Sequence, residues 1–236
     1  MTKTTMGYKG FDKDLKCRDF QYEIGKTYAI DKKELKICSK GFHFCYELED
    51  VKSYYALPDF QHETEVIGGI DNLTSLLRGN SSNRFCEVEI LGDVDTVEEK
   101  SATDIIRIVR ELTKQEIIEI INKKYWDAAW ELQQKYPHYL IGGSMALMMV
   151  GLLPKDCRVF HDLDLTAPHY VVLNDDFDPT PTGRSRGVAA HAKYKGILID
   201  FFIAPTEQPK RITYEGRHWN ITNISTILKA KVAVAF

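Results

Sequence analysis

The sequence YLIGGSMAL occupies residues 139–147 and joins two apolar segments through two glycines and a serine. Its first three residues predict a short strand, and the apolar residues from Met145 to about Leu152 predict a helix. Gly142 and Gly143 allow the backbone to approach a phosphate closely, a helix start offers free N–H groups, and Ser144 adds a hydroxyl donor. Taken alone, the stretch favours an ordinary tight turn between a strand and a helix, with Ser144 as the helix N-cap. A strand–turn–helix unit that holds a phosphate is the alternative.

A longer helix precedes this unit. Thr113 and Glu116 have the spacing of a capping box, in which Thr113 is the N-cap and Glu116 its reciprocal partner. From there to about Gln134, apolar residues recur at spacings of one to four and form one helical face, and Pro137 ends the pattern. Because the character of the sequence changes near residue 112, we predict a domain boundary there, with the second domain at residues 113–236.

Two aspartates follow within a β-like segment at residues 159–166. On a strand, Asp162 and Asp164 point to the same face, while Leu163 and Leu165 point to the core. Two like charges side by side repel each other unless a cation neutralises them. Magnesium prefers carboxylates and phosphates as ligands, so the pair predicts a magnesium site. A solvated edge strand is the alternative.

A third aspartate lies inside an apolar run. Asp200 is surrounded by six large apolar residues in the segment Ile197–Ile203, which we predict to form a hairpin with residues 188–193 through a turn at residues 194–196. A buried carboxylate without a partner is costly. A metal shared with Asp162 and Asp164 supplies a partner, and a hydrogen-bonded core aspartate is the alternative.

Residues 1–112 predict a separate β-rich domain. Residues 25–30 and 84–90 have the composition and alternation of strands. Residues 46–57 predict a short helix ended by Pro58, and the polar residues 59–83 predict mainly a loop. Together the two halves predict a mixed α+β protein.

The bulk composition excludes several classes of protein. Apolar residues at 44% and charged residues at 28% are typical of soluble globular chains. A formal net charge of −3 argues against a general nucleic-acid coat, and no DNA-binding signature is present. We find no secretory signal in the first residues and no apolar run long enough for a transmembrane helix. These features favour a cytoplasmic protein without a membrane partner.

The five cysteines are an odd number, which favours reduced thiols over a disulfide framework. Cys38, His43 and Cys45 lie close together, but their spacing is not a familiar zinc pattern. Buried thiols are the preferred interpretation.

The Gly-Gly-Ser turn, the Asp-x-Asp pair and the third aspartate together resemble the nucleotidyltransferase superfamily. The segment at residues 142–147 is similar to the Gly-Gly-Ser/Thr-x-Ala-Leu segment of its minimal, toxin-type and abortive-infection-type members. The resemblance covers residues 113–236 and implies a small mixed sheet flanked by helices. Seventeen residues separate Ser144 from Asp162, more than the family's usual gap, which predicts an inserted loop at residues 154–158.

This resemblance also implies roles for individual residues. Gly142, Gly143 and Ser144 hold the triphosphate of ATP or another nucleoside triphosphate. Asp162 and Asp164 bind magnesium, and Asp200 is the general base or a third ligand. Lys229, in a predicted helix over residues 224–236, reaches phosphate or is simply a solvated helix charge.

The amino-terminal half resembles an uncharacterised domain carried by many phage and prophage proteins. The residues that carry this resemblance are in GYKGFD at residues 7–12, KGFHFC at residues 40–45 and FCEV at residues 85–88. The resemblance implies a phage origin and gives no activity.

The leading hypothesis for function is an enzyme that transfers a nucleoside monophosphate from a nucleoside triphosphate to a hydroxyl of a tRNA, a protein or a small molecule. The alternative is a phage interaction or anti-defence protein that uses a vestigial nucleotidyltransferase fold to bind a host protein. Three acids converging on one face favour the enzyme. A metal-dependent phosphodiesterase is a weaker third hypothesis, because His161 alone does not make a metal cluster.

Overall fold

The computed structural model describes residues 5–57, 82–155, 157–171, 173–180, 187–205 and 207–235, with the backbone alone for residues 230–235. Within these residues the chain is mixed α and β and rich in strands, with sixteen strands and four α-helices. It divides into two compact units. The first contains the described residues up to Ile120, and the second those from Ile121 onward. The predicted loop at residues 59–83 lies outside the described residues except for Ser82 and Asn83.

The first unit is built from short antiparallel strands. Its largest sheet contains β1 (Thr5–Phe11), β4 (Thr27–Ala29), β6 (Arg84–Ile90) and β9 (Ile105–Glu111), in the order β1-β6-β9-β4. A second sheet contains β5 (Phe42–Phe44), β7 (Val94–Val97) and β8 (Lys100–Thr103), in the order β5-β8-β7. A small hairpin pairs β2 (Lys16–Cys17) with β3 (Phe20–Gln21). The predicted strands at residues 25–30 and 84–90 are confirmed as β4 and β6.

The core of this unit lies against one face of the larger sheet. Cys86, Val88 and Ile90 alternate along β6 and pack in one cluster with Phe11 and Ile106. Each of these five side chains is buried. Cys86, Val88 and Ile90 share one face of the strand, because side chains on a strand alternate between its two faces.

The helix predicted at residues 46–57 is much shorter than expected. Helix α1 covers Leu48–Val51, and a short 3-10 helix lies at Lys32–Glu34. After Val51 the chain turns, and Tyr55 packs against Gly10 of β1. An added Cβ on Gly10 would lie 2.4 Å from an atom of the Tyr55 ring. The helix therefore ends seven residues before Pro58, and the segment after it packs against β1.

The second unit contains a seven-stranded mixed sheet. Its strands are β10 (Leu140–Ile141), β11 (Leu163–Ala167), β12 (Asp178–Pro179), β13 (Ala190–Tyr194), β14 (Ile197–Ile203), β15 (Lys210–Tyr214) and β16 (Arg217–Ile221). Their order is β12-β13-β14-β11-β10-β16-β15. Strands β11 and β14 are parallel, as are β10 and β16, and the other neighbours are antiparallel. The hairpin β13–β14 was predicted, whereas β12 and the hairpin β15–β16 were not.

Three helices accompany this sheet: α2 (Lys114–Lys135), α3 (Gly143–Met149) and α4 (Ile224–Ala235). The capping box at the start of α2 is confirmed. The backbone N–H of Thr113 donates to Glu116 Oε2 at 2.8 Å, and the N–H of Glu116 donates to Thr113 Oγ1 at 3.2 Å. The sequence predicts a boundary near residue 112, whereas the two units divide at Ile120 and Ile121, inside α2.

Two predicted element boundaries are wrong near the aspartates. Strand β11 begins at Leu163 instead of Val159, so Asp162 directly precedes the strand. The segment before it is held to α2 by side-chain hydrogen bonds and does not pair with a strand. Helix α3 begins at Gly143, two residues earlier than predicted, with Gly142 as its N-cap. The interpretation in which Ser144 is the N-cap is therefore also wrong.

Candidate functional site

Two of the three predicted aspartates occupy one register position on neighbouring strands. Asp164 of β11 is the partner of Asp200 on the parallel strand β14. In-register residues on adjacent strands point to the same face of a sheet, so both carboxylates lie on one face. Leu163 and Leu165, which alternate with Asp164, are buried on the other face. The structure thus brings Asp164 and Asp200 together, while half-buried Asp162 lies two residues before Asp164, just outside the strand.

The two glycines of the turn lie directly against Asp164. The N–H of Gly142 donates to the Asp164 carbonyl oxygen at 2.8 Å. Gly143 has a φ of +53°, in the left-handed region, where a Cβ causes steric strain. A Cβ on Gly143 would lie 1.6 Å from Asp164 Oδ2, well inside van der Waals contact. Glycine is therefore required at residue 143 both by the backbone conformation and by the carboxylate beside it.

Asp200 has a partner that the sequence analysis missed. Nδ1 of His191 lies 2.6 Å from Oδ1 of Asp200, a distance at which a ring N–H donates to a carboxylate. The side chains are 8% and 14% exposed, so the contact is mostly shielded from water. His191 Nε2 is buried, and no described residue hydrogen-bonds to it.

The register of the observed hairpin sets this pairing. Tyr194 lies opposite Ile197, and counting three residues outward along both strands pairs His191 with Asp200. The predicted turn at residues 194–196 would instead place His191 opposite Ile199, so the predicted register is wrong by one residue. Directly opposed side chains on antiparallel strands are neighbours. In the alternative interpretation, in which Asp200 is a hydrogen-bonded core aspartate, its partner is therefore His191.

The inserted segment before Asp162 brings an arginine to the glycine turn. Nη1 of Arg158 lies 3.4 Å from Ser144 Oγ, and Arg158 is exposed. Asn122 of α2 fixes this segment, because its amide donates to the Arg158 carbonyl at 3.0 Å and accepts from the Phe160 N–H at 2.8 Å. Asn122 is 3% exposed. The segment between Ser144 and Asp162 thus carries an exposed cation that lies beside the serine hydroxyl.

We expect Asn122→Ala to destabilise the second unit by about 2–4 kcal/mol, because it removes two hydrogen bonds and leaves a buried N–H without a partner. Urea unfolding followed by tryptophan fluorescence measures this change. The matched control is Lys123→Ala, which removes an exposed ion pair with Asp127 on the same helix and should change stability by less than about 0.5 kcal/mol. Equal effects of the two substitutions would contradict a positioning role for Asn122.

Two further residues are relevant to the site: Tyr125, which lies near Asp162, and Lys229, which was predicted to reach the phosphate. Burial and, as the smaller cause, the nearby negative charge of Asp162 together raise the pKa of the Tyr125 phenol to about 12. Tyr125 is therefore protonated at neutral pH and faces a carboxylate. Lys229 is exposed on α4, and the structure gives it no contact with the aspartates.

The predicted metal ligands are all carboxylates, the donor type that magnesium prefers. Among the described residues, no three or more His, Cys, Asp and Glu side chains already form a group that could hold a metal ion. The carboxylates of Asp200 and Asp164 lie on the same face of the sheet. However, Asp200 is hydrogen-bonded to His191, so the two carboxylates do not by themselves form a complete set of metal ligands. The predicted magnesium site stays a prediction.

Comparison with known proteins gives a match to a family model over the amino-terminal half. Residues 5–120 are similar to a family described as a domain of unknown function, DUF7666. No curated protein matches the chain. No solved structure matches it. The phage origin proposed for the amino-terminal half and the nucleotidyltransferase resemblance of the other half therefore stay predictions. Within the described residues, no helix has both the length and the apolar character needed to cross a membrane.

Proposed function

We propose that the second unit is a magnesium-dependent nucleotidyltransferase with the small mixed sheet and flanking helices of that superfamily. The observation that carries this proposal is the in-register pair Asp164 and Asp200 on adjacent parallel strands, with Gly143 packed against the Asp164 carboxylate. The two carboxylates lie on one face of the sheet and repel each other, and a bound cation would neutralise them. The glycine turn beside them would bind a phosphate that shares this cation.

The glycine turn and Arg158 supply the phosphate-binding side of the site. A triphosphate carries several negative charges, and an arginine guanidinium offers donors that match phosphate oxygens. Arg158 lies beside the Ser144 hydroxyl, so a cation and a neutral donor are available together. The Asn122 side chain donates a hydrogen bond to the Arg158 carbonyl and so holds the backbone of Arg158 in place. These contacts support binding of the triphosphate between Ser144 and Arg158.

The aspartates supply the other half of the chemistry. Magnesium bound with the triphosphate would neutralise negative charge as the phosphate reacts, and Asp162 and Asp164 are the residues that would hold it. The acceptor hydroxyl loses its proton to Asp200, and its oxygen bonds to the α-phosphorus. The bond from that phosphorus to the bridging oxygen breaks, and pyrophosphate leaves. The hydrogen bond from His191 fixes Asp200 in position for this proton transfer.

We expect ATP with magnesium, or another nucleoside triphosphate with magnesium, to raise the melting temperature of the second unit. A ligand at 100 times its dissociation constant stabilises the protein that binds it by about 2.7 kcal/mol. Asp164→Asn should abolish this shift, because it removes one of the paired charges while keeping the shape of the side chain. The measurement is a thermal-shift titration with each nucleoside triphosphate, with and without magnesium.

The matched control is Asp175→Asn. Asp175 is an exposed aspartate in the loop before β12 and should be substituted without effect on ligand binding. If the wild-type protein shows no shift with any nucleoside triphosphate, the proposal is wrong. A vestigial fold that binds a host protein then becomes the better explanation.

A further inference from the structure

The first unit contains a cavity of about 380 Å³, a volume in the range that small-molecule ligands occupy. Three basic side chains line it, from Lys9, Arg18 and Lys100. Four aromatic residues also line it, namely Tyr8, Phe44, Tyr54 and Tyr55. No aspartate or glutamate is among the described residues of its wall. A lining with this composition favours a ligand that has both negative charge and a flat ring.

Lys9 is the most unusual of these residues. It lies on β1 and is only 4% exposed. Its Nζ donates to the His43 carbonyl at 2.7 Å and lies 3.7 Å from Cys17 Sγ. The same nitrogen lies 5.4 Å and 5.2 Å from the ring centroids of Phe11 and Tyr22. A buried ammonium is normally paired with a carboxylate, and among the described residues Lys9 has none.

The other two cations also lack an acidic partner. Neither Arg18 nor Lys100 forms an ion pair with a described Asp or Glu, although Lys100 Nζ lies 4.9 Å from the Tyr54 ring centroid. Arg18 has a φ of +56°, a backbone conformation that is unfavourable for a side chain of this size. Several other described basic residues of this unit form ion pairs with carboxylates, although exposed Lys33 does not; the paired ones are Lys26, Lys32, Lys40, Lys52, Arg84, Arg107 and Arg110.

The three cations affect the pKa of His43, which also lines the cavity. Burial, and after it repulsion from Lys100, Lys9 and Arg18, together lower the pKa of His43 to about 4. His43 is therefore neutral at pH 7, and its Nε2 accepts a hydrogen bond from the Cys38 N–H at 3.1 Å. Positive charge converges on this cavity from three separate segments of the unit.

We propose that this cavity binds a small phosphorylated molecule with a flat ring. The phosphate lies among Lys9, Arg18 and Lys100, where its negative charge supplies the partner that these cations lack. The ring packs against Tyr54 and Tyr55. This site lies in the first unit, is separate from the proposed nucleotidyltransferase residues and does not depend on their activity.

The test uses 1-naphthyl phosphate as the probe and 1-naphthol as its uncharged counterpart, with binding to the full chain followed by naphthalene fluorescence and calorimetry. We expect 1-naphthyl phosphate to bind at least tenfold more tightly than 1-naphthol. Arg18→Gln and Lys100→Met should each weaken binding of 1-naphthyl phosphate at least fivefold. Binding of 1-naphthol should stay unchanged. Both side chains are at least partly exposed, so the variants should fold, and thermal melting verifies this.

The control variant is Lys33→Gln, which removes an exposed cation of the same unit that does not line the cavity and should leave binding unchanged. Lys9→Met should abolish binding of the phosphate ester if the variant folds. The proposal is overturned if 1-naphthol binds as tightly as its phosphate, or if Arg18→Gln and Lys100→Met bind the phosphate as wild type does. It is also overturned if Lys33→Gln weakens binding as much as those variants, because a general surface charge would then explain the effect.

Discussion

Gly143→Ala should destabilise the second unit by about 2–5 kcal/mol. An alanine in the left-handed region costs roughly 1–2 kcal/mol, and residue 143 has a φ of +53°. The new methyl group would also lie 1.6 Å from Asp164 Oδ2, and forcing an extra carbon into a packed site costs about 1–3 kcal/mol more. The three tryptophans of the chain all lie in this unit, at residues 126, 130 and 219. Urea unfolding followed by tryptophan fluorescence therefore measures the effect.

Gly151→Ala is the control that separates the two contributions. Gly151 has a φ of +74° with no atom within 4 Å of an added Cβ, so its replacement introduces backbone strain without a collision. We expect a loss of about 1–2 kcal/mol for Gly151→Ala. The difference between the two variants is the cost of displacing the Asp164 carboxylate. Equal losses would show that Gly143 does not constrain Asp164.

His191→Ala should destabilise the second unit by about 2–4 kcal/mol. The substitution leaves the Asp200 carboxylate without its hydrogen bond in a shielded position, and removal of one partner of a buried pair is strongly destabilising. His218→Ala is the matched control, because His218 is exposed and its ring contacts only Thr213 Oγ1 at 3.1 Å among the described hydrogen bonds. We expect the control to lower the free energy of unfolding by less than about 0.5 kcal/mol.

A double-mutant cycle with Asp200→Asn tests whether the effect belongs to the pair. The two substitutions should show a coupling energy above about 1 kcal/mol, since residues in direct contact are not additive. Additive effects would mean that His191 stabilises the unit through packing alone. The same variants in the thermal-shift titration with magnesium and ATP would show whether the orientation of Asp200 matters for ligand binding.

Local sequence determined several elements without help from the rest of the chain. The capping box at Thr113 and Glu116 and the apolar spacing after it define α2, because both depend on residues within one helical turn of each other. The hairpin β13–β14 follows from two β-like runs joined at Lys195 and Gly196, which have φ values of +50° and +81°. The register was not determined in the same way, because the predicted turn at residues 194–196 would place His191 opposite Ile199, whereas Tyr194 joins strand β13 and His191 pairs with Asp200.

Other features depended on contacts between residues far apart in the chain. The parallel pairing of β11 with β14 places Asp164 beside Asp200, and nothing in either strand alone specifies that partner. Asn122 of α2 bonds to the backbone of Arg158 and Phe160, in the segment that was predicted to be part of the strand and that lies before it. In the first unit, Tyr55 packs against Gly10 after a helix that is shorter than predicted.

The sequence by itself thus determined the helix α2, the β13–β14 hairpin, the glycine turn and the acidic residue types, because each is specified by neighbours along the chain. Only the tertiary structure decided which carboxylates share a face, that Gly142 is the N-cap of α3, and that Lys9, Arg18 and Lys100 line one cavity. The physical reason is that strand partners and buried polar contacts are selected by burial across the whole unit. Local propensity does not contain that information.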